Sequence, residues 1–209
     1  MTKEEQYIAE GTMLPLIEEF YSLQGEGYNT GKAAYFIRLG GCDIGCSWCD
    51  TKFSWDADFH KLTSVDEIVK KAAGYPAKAI VVTGGEPTCY NMHYLCEQLI
   101  LNGVKTFLET SGVYKLTGEW HWICLSPKKH NPPVKEIYPL ASELKVIISE
   151  PDDLIWAEEN AIKTDSKCKL FLQPEWSVYK TIIYDVVEYI KQNPKWQISL
   201  QSHKFMKIP

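Results

Sequence analysis

No stretch of this chain approaches the run of about 18 apolar residues that a membrane-spanning helix requires, so no membrane partner is expected. The opening Met1-Thr2-Lys3-Glu4-Glu5-Gln6 is polar with no apolar core behind it, which speaks against a secretory leader and for a cytoplasmic protein. Positive charge is scarce as well. Lys and Arg number 22 against 27 Asp and Glu, a formal net charge of -5, which argues against capture of nucleic acid by a broad basic face. A role in RNA modification would have to run through a small molecule. Low-complexity tracts, internal repeats and linkers are missing too, so the 209 residues are expected to form one domain. Seven cysteines, an odd number in a chain expected to be intracellular, argue against a disulfide framework and leave metal ligation as the better use of any that lie close together.

Three do lie close together. Cys42, Cys46 and Cys49 form a Cys-x3-Cys-x2-Cys loop directly after the apolar run at 33–39. A short loop brings such thiolates within a few Å of one soft centre. Zinc would want a fourth protein ligand, whereas a four-iron cluster on three cysteines leaves one iron open to a ligand that is not protein. Cys89, Cys96, Cys124 and Cys168 are scattered in apolar surroundings, and none is an obvious fourth ligand.

Ahead of the cysteines, residues 18–31 read as a polar, glycine-rich loop in which Gln24 and Glu26 bracket Gly25 and can both face a ligand. Arg38 interrupts the apolar strand 33–39; it either points to solvent from an edge strand or meets an anionic substrate. Further strands are expected at 79–83, 104–108, 120–125, 142–148, 169–173 and 196–200. Helices fit at 63–72, where Thr63 or Ser64 would cap the first turn, and near 91–101, 152–162 and 177–191. The proline-rich stretch 127–139 reads as a loop or lid, and its Lys128, Lys129 and His130 are too few to argue for RNA. This alternation predicts βα units with right-handed crossovers, an α/β fold in the form of an incomplete (βα) barrel. The polar and glycine-rich segments follow strand ends, which places the active site at the C-terminal ends of the strands.

The cysteine spacing, with Trp48 just before the last cysteine, resembles the radical S-adenosylmethionine (SAM) superfamily, and Gly84-Gly85-Glu86-Pro87 resembles that superfamily's Gly-Gly-Glu-Pro element. The glycines would allow close backbone approach, and the carboxylate could receive the methionyl ammonium of SAM. Over essentially the whole chain the sequence is similar to the 7-carboxy-7-deazaguanine synthase family. The segments that carry the likeness are 20–27, 36–39, 42–51, 83–87, 109–112 and 200–204.

That resemblance implies a radical SAM barrel, one [4Fe-4S] cluster on Cys42, Cys46 and Cys49, and SAM on the open iron with Trp48 near the adenine. Gly84, Gly85 and Glu86, with Glu109, Thr110, Ser111 and Gly112, would lie along SAM, with Ser126, Lys128, Lys145 and Gln173 at later strand ends near SAM or substrate. Gln24, Glu26 and Arg38 match substrate positions, Arg38 as a fork for a carboxylate, and His203 with the segment to Pro209 matches a tail over the substrate. Thr51 matches a hydroxyl that helps bind Mg²⁺.

The implied reaction is a carbon–nitrogen lyase step toward queuosine and other deazapurines. It contracts 6-carboxy-5,6,7,8-tetrahydropterin to 7-carboxy-7-deazaguanine with loss of ammonia, initiated by a 5′-deoxyadenosyl radical with SAM regenerated. No side chain is assigned as an acid or base. A flavodoxin or ferredoxin would supply the electron, and a homodimer is implied. Two other readings remain at this stage: a radical SAM activase of a glycyl-radical protein, and a non-catalytic zinc-binding module.

Overall fold

Strand parity sorts the chain into an inner and an outer face. In β2 (Ala33–Leu39), Tyr35, Ile37 and Leu39 enter one core cluster, while Ala34 and Phe36 turn the other way and meet Ala79 and Val81 of β4 (Ala79–Gly84). In β7 (Glu143–Ile148) the same alternation sends Leu144, Val146 and Ile148 into a second core cluster, leaving Glu143, Lys145 and Ile147 on the opposite face. Helices cover the outer face. Val65, Ile68, Val69 and Ala72 of α2 (Val65–Gly74) recur at helical spacing and pack into the first cluster with Leu95 and Leu99 of α3 (His93–Leu101). Ala157 of α4 (Asp153–Ala161) and Ile182 and Val186 of α5 (Tyr179–Gln192) fill the second. The structure is a computed structural model that describes residues 2–209.

The remaining strands are β1 (Met13–Leu23), β3 (Leu62–Ser64), β5 (Lys105–Thr110), β6 (Trp122–Leu125), β8 (Lys169–Pro174) and β9 (Trp196–Ile198). The described residues form nine strands in the order β3-β1-β2-β4-β5-β6-β7-β8-β9. Neighbours from β2 to β9 are parallel, and β1 is antiparallel to both β2 and β3. The two end strands do not pair with each other, yet side chains from β1, β2, β4, β5, β7 and β8 border a single cavity. The sheet therefore curls into the expected incomplete barrel, with the cavity at the C-terminal ends of its parallel strands. No helix among the described residues is long and apolar enough to cross a membrane.

Several local expectations change. Residues 18–23 belong to β1 rather than to a loop; the loop proper is 24–32, closed by Gln24 N donating to Lys32 O and Gly31 N to Gln24 O, both at 2.8 Å. The charges at Glu18 and Glu19 hid the strand, and both are met in the fold: Glu18 by Arg38, Glu19 by the Tyr35 hydroxyl and Lys71. β2 is interior, between β1 and β4, which removes the edge-strand reading of Arg38. The helix α1 (Lys3–Glu10) buries no residue, so it has no apolar stripe to find. Its signal was the capping box, in which Glu5 N donates to Thr2 Oγ1 and Thr2 N donates to Glu5 Oε2.

Neither Thr63 nor Ser64 caps α2 with its side chain, because the backbone of β3 is already paired with β1 and Val65 N donates to Thr12 O at 3.0 Å. Only part of 127–139 is open loop. Lys135–Leu140 is a 3₁₀ turn whose Ile137 and Tyr138 are buried in the second core, doing the covering work of a crossover helix between β6 and β7.

Candidate active site

The two sequence motifs interlock through their backbones. Gly85 N donates to Leu39 O at 2.7 Å and Glu86 N to Gly41 O at 2.8 Å, while Gly41 N and Cys42 N donate to Ser54 O and Trp55 O at 2.7 and 3.0 Å. A Cβ at Gly85 would stand 2.2 Å from Gly41 O, so what requires glycine here is the approach of the cysteine loop to the end of β4.

Cys42, Cys46 and Cys49 are free thiols that all border one cavity of about 480 Å³. Among the described residues no three His, Cys, Asp or Glu groups converge on the position of a single ion. A four-iron cluster takes each thiolate on a different iron, so its protein ligands stand apart around the cluster. Burial raises the Cys42 thiol, with Glu86 and the other two thiols adding to the rise; burial also raises Cys46, with Lys128 opposing. Thr51 N–H donates to Cys49 Sγ at 3.4 Å, and the Thr51 hydroxyl lies 3.5 Å from the same sulfur. His130 Nε2 donates to Ile44 O at 2.9 Å inside the loop. Such outer hydrogen bonds orient metal-bound thiolates, and the donor set fits a [4Fe-4S] cluster.

Glu86 has a different place from the one expected. It is 1% exposed, and its carboxylate accepts from Thr88 N, Thr88 Oγ1 and Thr110 Oγ1 on one oxygen and from Ser111 N and Ser111 Oγ on the other. With five protein donors the carboxylate fastens the ends of β4 and β5 together, and it still borders the cavity. Lys128 folds back so that Nζ donates to Ser126 O at 2.8 Å and Ser126 Oγ at 2.7 Å, and it stands 5.1 Å from the centre of the Trp48 ring. Burial lowers its pKa, partly offset by Cys46. Gln173 accepts from Ser199 Oγ at 2.6 Å.

The same cavity is bordered by a polar network. Lys145 Nζ donates to Glu26 Oε2 at 2.6 Å and to Glu109 Oε2 at 2.9 Å; Gln24 Nε2 donates to Glu109 Oε1 at 3.1 Å, and Gln201 Nε2 to Glu26 Oε1 at 3.0 Å. Burial alone would raise the Glu26 carboxyl, but the charge and hydrogen bond of Lys145 outweigh it, helped by Gln201 and His203, and bring it down to about 2. For Lys145, burial is outweighed by Cys124, Glu109, Glu26 and Glu143, which hold it protonated. Arg38 Nε donates to Glu18 at 2.7 Å, and its terminal Nη groups have no partner among the described residues.

The tail helix α6 (Ser202–Met206) closes this side. Ser202 N donates to Gly25 O at 2.9 Å, Lys204 Nζ to Asp50 Oδ2 at 3.0 Å, and Ser22 Oγ to Pro209 O at 3.1 Å. A Cβ at Gly25 would fall 2.2 Å from His203 Nδ1, so the tail can seat only over glycine. Burial lowers the pKa of His203.

Every residue singled out from the sequence as a site candidate borders this cavity, including Thr51, Gly84, Gly85, His203 and Pro209. The sequence reading missed Gln201 and Lys204 as tail anchors and Glu109 as the partner of Lys145. Glu109 was visible as a charge at a strand end, but its partner is 36 positions away.

Comparison with known proteins agrees with this geometry. The Radical SAM superfamily matches residues 36–120, which hold both motif loops and the end of β5. The chain is 54% identical to the 7-carboxy-7-deazaguanine synthase of Flavobacterium psychrophilum over the full length of both. The chain belongs to the 7-carboxy-7-deazaguanine synthase family. A second family relative, from Synechocystis sp., is 45% identical over 93% of each chain. The crystal structure of QueE from Escherichia coli superposes with a TM-score of 0.82 at 30% identity, covering 97% of this chain and 100% of that one. Membership of the radical SAM superfamily implies a [4Fe-4S] cluster and SAM.

Proposed function

We propose that this protein is a 7-carboxy-7-deazaguanine synthase, contracting 6-carboxy-5,6,7,8-tetrahydropterin to 7-carboxy-7-deazaguanine with loss of ammonia. The observation that carries the reading is one cavity lined both by three free thiols and by a Glu26–Lys145–Glu109 network with the Arg38 fork. The first set of groups suits a cluster with SAM, which when bound supply hydrogen-atom abstraction chemistry. The second suits a flat, polar, anionic heterocycle.

Within that reading the chain's own residues bind, orient and exclude water. The free Nη pair of Arg38 takes the substrate carboxylate in a bidentate hold. Glu26, kept ionised by Lys145, accepts from the aminopyrimidine edge. His203 and Pro209 cover the bound heterocycle, and Trp48, Thr110, Ser111, Ser126 and Gln173 line the SAM side. The Thr51 hydroxyl caps no turn, which supports its use with substrate oxygens in holding Mg²⁺. The functional unit comprises loop 24–32, the barrel and tail 200–209, working as a homodimer that takes its electron from a flavodoxin or ferredoxin.

Anaerobically reconstituted protein supplied with the carboxytetrahydropterin, SAM, Mg²⁺ and a reductant should release ammonia and a product with the mass of 7-carboxy-7-deazaguanine. Cleavage of SAM without ring contraction, from a protein that carries its full cluster, would reject this substrate.

A further inference from the structure

Lys145, expected from the sequence near SAM or substrate, stands out because it makes two ion pairs on the border of the cavity. It reaches Glu26 in the loop after β1 and Glu109 on β5, and it is 5% exposed. Two of its three N–H donors are committed to those carboxylates at 2.6 and 2.9 Å. Glu109 is steadied in turn by Gln24, and the second oxygen of Glu26 by Gln201 of the tail. Glu26 N–H donates to Gln24 Oε1 at 3.2 Å, closing the network on itself. Each Glu26 oxygen thus holds one protein donor and retains a lone pair, and two free lone pairs side by side match two parallel N–H donors on a ligand edge.

We infer that Lys145, backed by Glu109, is a positioning residue for substrate recognition: it fixes Glu26 as an aligned carboxylate so that the site selects a heterocycle presenting an amino group beside a ring N–H. The assignment rests on the proposed function and deepens it. A heterocycle with a carbonyl in place of that amino group would set oxygen against oxygen and lose the pairing. Without the lysine, only Gln201 and His203 would oppose the rise that desolvation imposes on the Glu26 carboxyl. The groups facing this network from the surrounding elements are His203 of α6 against Glu26, and Cys124 of β6 and Glu143 of β7 against Lys145.

The test measures anaerobic binding of two unreactive oxidised analogues, 6-carboxypterin and 6-carboxylumazine, which carries a carbonyl where the pterin has its amino group. SAM affinity and iron content are measured in parallel, for the parent, Lys145→Met and Lys145→Arg. The parent should prefer the pterin, and Lys145→Met should lose about 10- to 100-fold in pterin affinity, the scale of a lost charge-assisted hydrogen bond, with iron and SAM affinity unchanged.

The ratio of variant to parent dissociation constants should shrink as pH rises from about 5.5 to 7.5, because Glu26 without its lysine regains the ionised form only at higher pH. Titration of the ligand is shared by both proteins and cancels in that ratio. Lys145→Arg should restore most of the pH independence. Unchanged pterin affinity in Lys145→Met, a pH-independent ratio, or a loss that falls on SAM instead would overturn the inference alone. A parent that binds neither analogue would overturn the proposed substrate and the inference with it.

Discussion

Replacing Glu86 by Gln separates two roles that this residue could have. The carboxylate is almost wholly buried and accepts five hydrogen bonds, from Thr88 N, Thr88 Oγ1, Thr110 Oγ1, Ser111 N and Ser111 Oγ. Hydroxyls can turn to accept, but the backbone N–H groups of Thr88 and Ser111 cannot. They face different oxygens of the carboxylate, so either orientation of a glutamine amide points its NH₂ at one of them. One buried N–H is then orphaned and the remaining bonds lose their ionic assistance, a cost of roughly 2 to 4 kcal/mol. For a chain of this size that is a fall in Tm of about 4 to 16 °C. Anaerobic thermal and urea melts of parent and Glu86→Gln, with SAM titration of each at a temperature where both are folded, read the two roles apart. Loss of stability with SAM affinity changed only a few-fold is the expected result. Parental stability with SAM binding abolished would refute the argument and return Glu86 to the role of an ammonium acceptor.

Arg38→Lys keeps the charge but loses the planar fork, so substrate affinity should fall about tenfold or more while iron content stays at the parental value, and Arg38→Ala should fall further; equal affinity in all three proteins would take Arg38 out of the site. Thr51→Ala should flatten the Mg²⁺ dependence of turnover, with Thr51→Ser retaining most of it, and an identical activation curve in the alanine variant would leave the hydroxyl with its contact to Cys49 alone. Phe205 of the tail meets Trp176 edge-on at 5.2 Å and Tyr179 at 5.8 Å. Phe205→Ala removes two aromatic contacts of about 0.5 to 1.5 kcal/mol each, so KM for the substrate should rise and trypsin should cut sooner at Lys204 and Lys207. Unchanged proteolysis would show that the tail is held by its polar anchors.

What the sequence determined alone was whatever depends on near neighbours. The spacing of Cys42, Cys46 and Cys49, the apolar runs that became β2, β4 and β7, and the placement of polar residues just after strand ends were all legible, because loop closure and strand parity act over a few residues. Even there, charge misled where the balancing group was remote: Glu18 and Glu19 looked like loop residues until Arg38, Tyr35 and Lys71 were seen beside them. Tertiary structure decided which functional groups are still free to act. Glu86 is engaged by Thr88, Thr110 and Ser111, Gly84 lies against the end of β2, and Gly85 against the cysteine loop. Lys145 was drawn to Glu26, 119 positions earlier, and Glu26 to Gln201, 175 positions later. A barrel brings strand ends together in the order of its sheet rather than of its sequence, and in a low-dielectric interior each charge must find its partner among whatever the curl of the sheet sets opposite it.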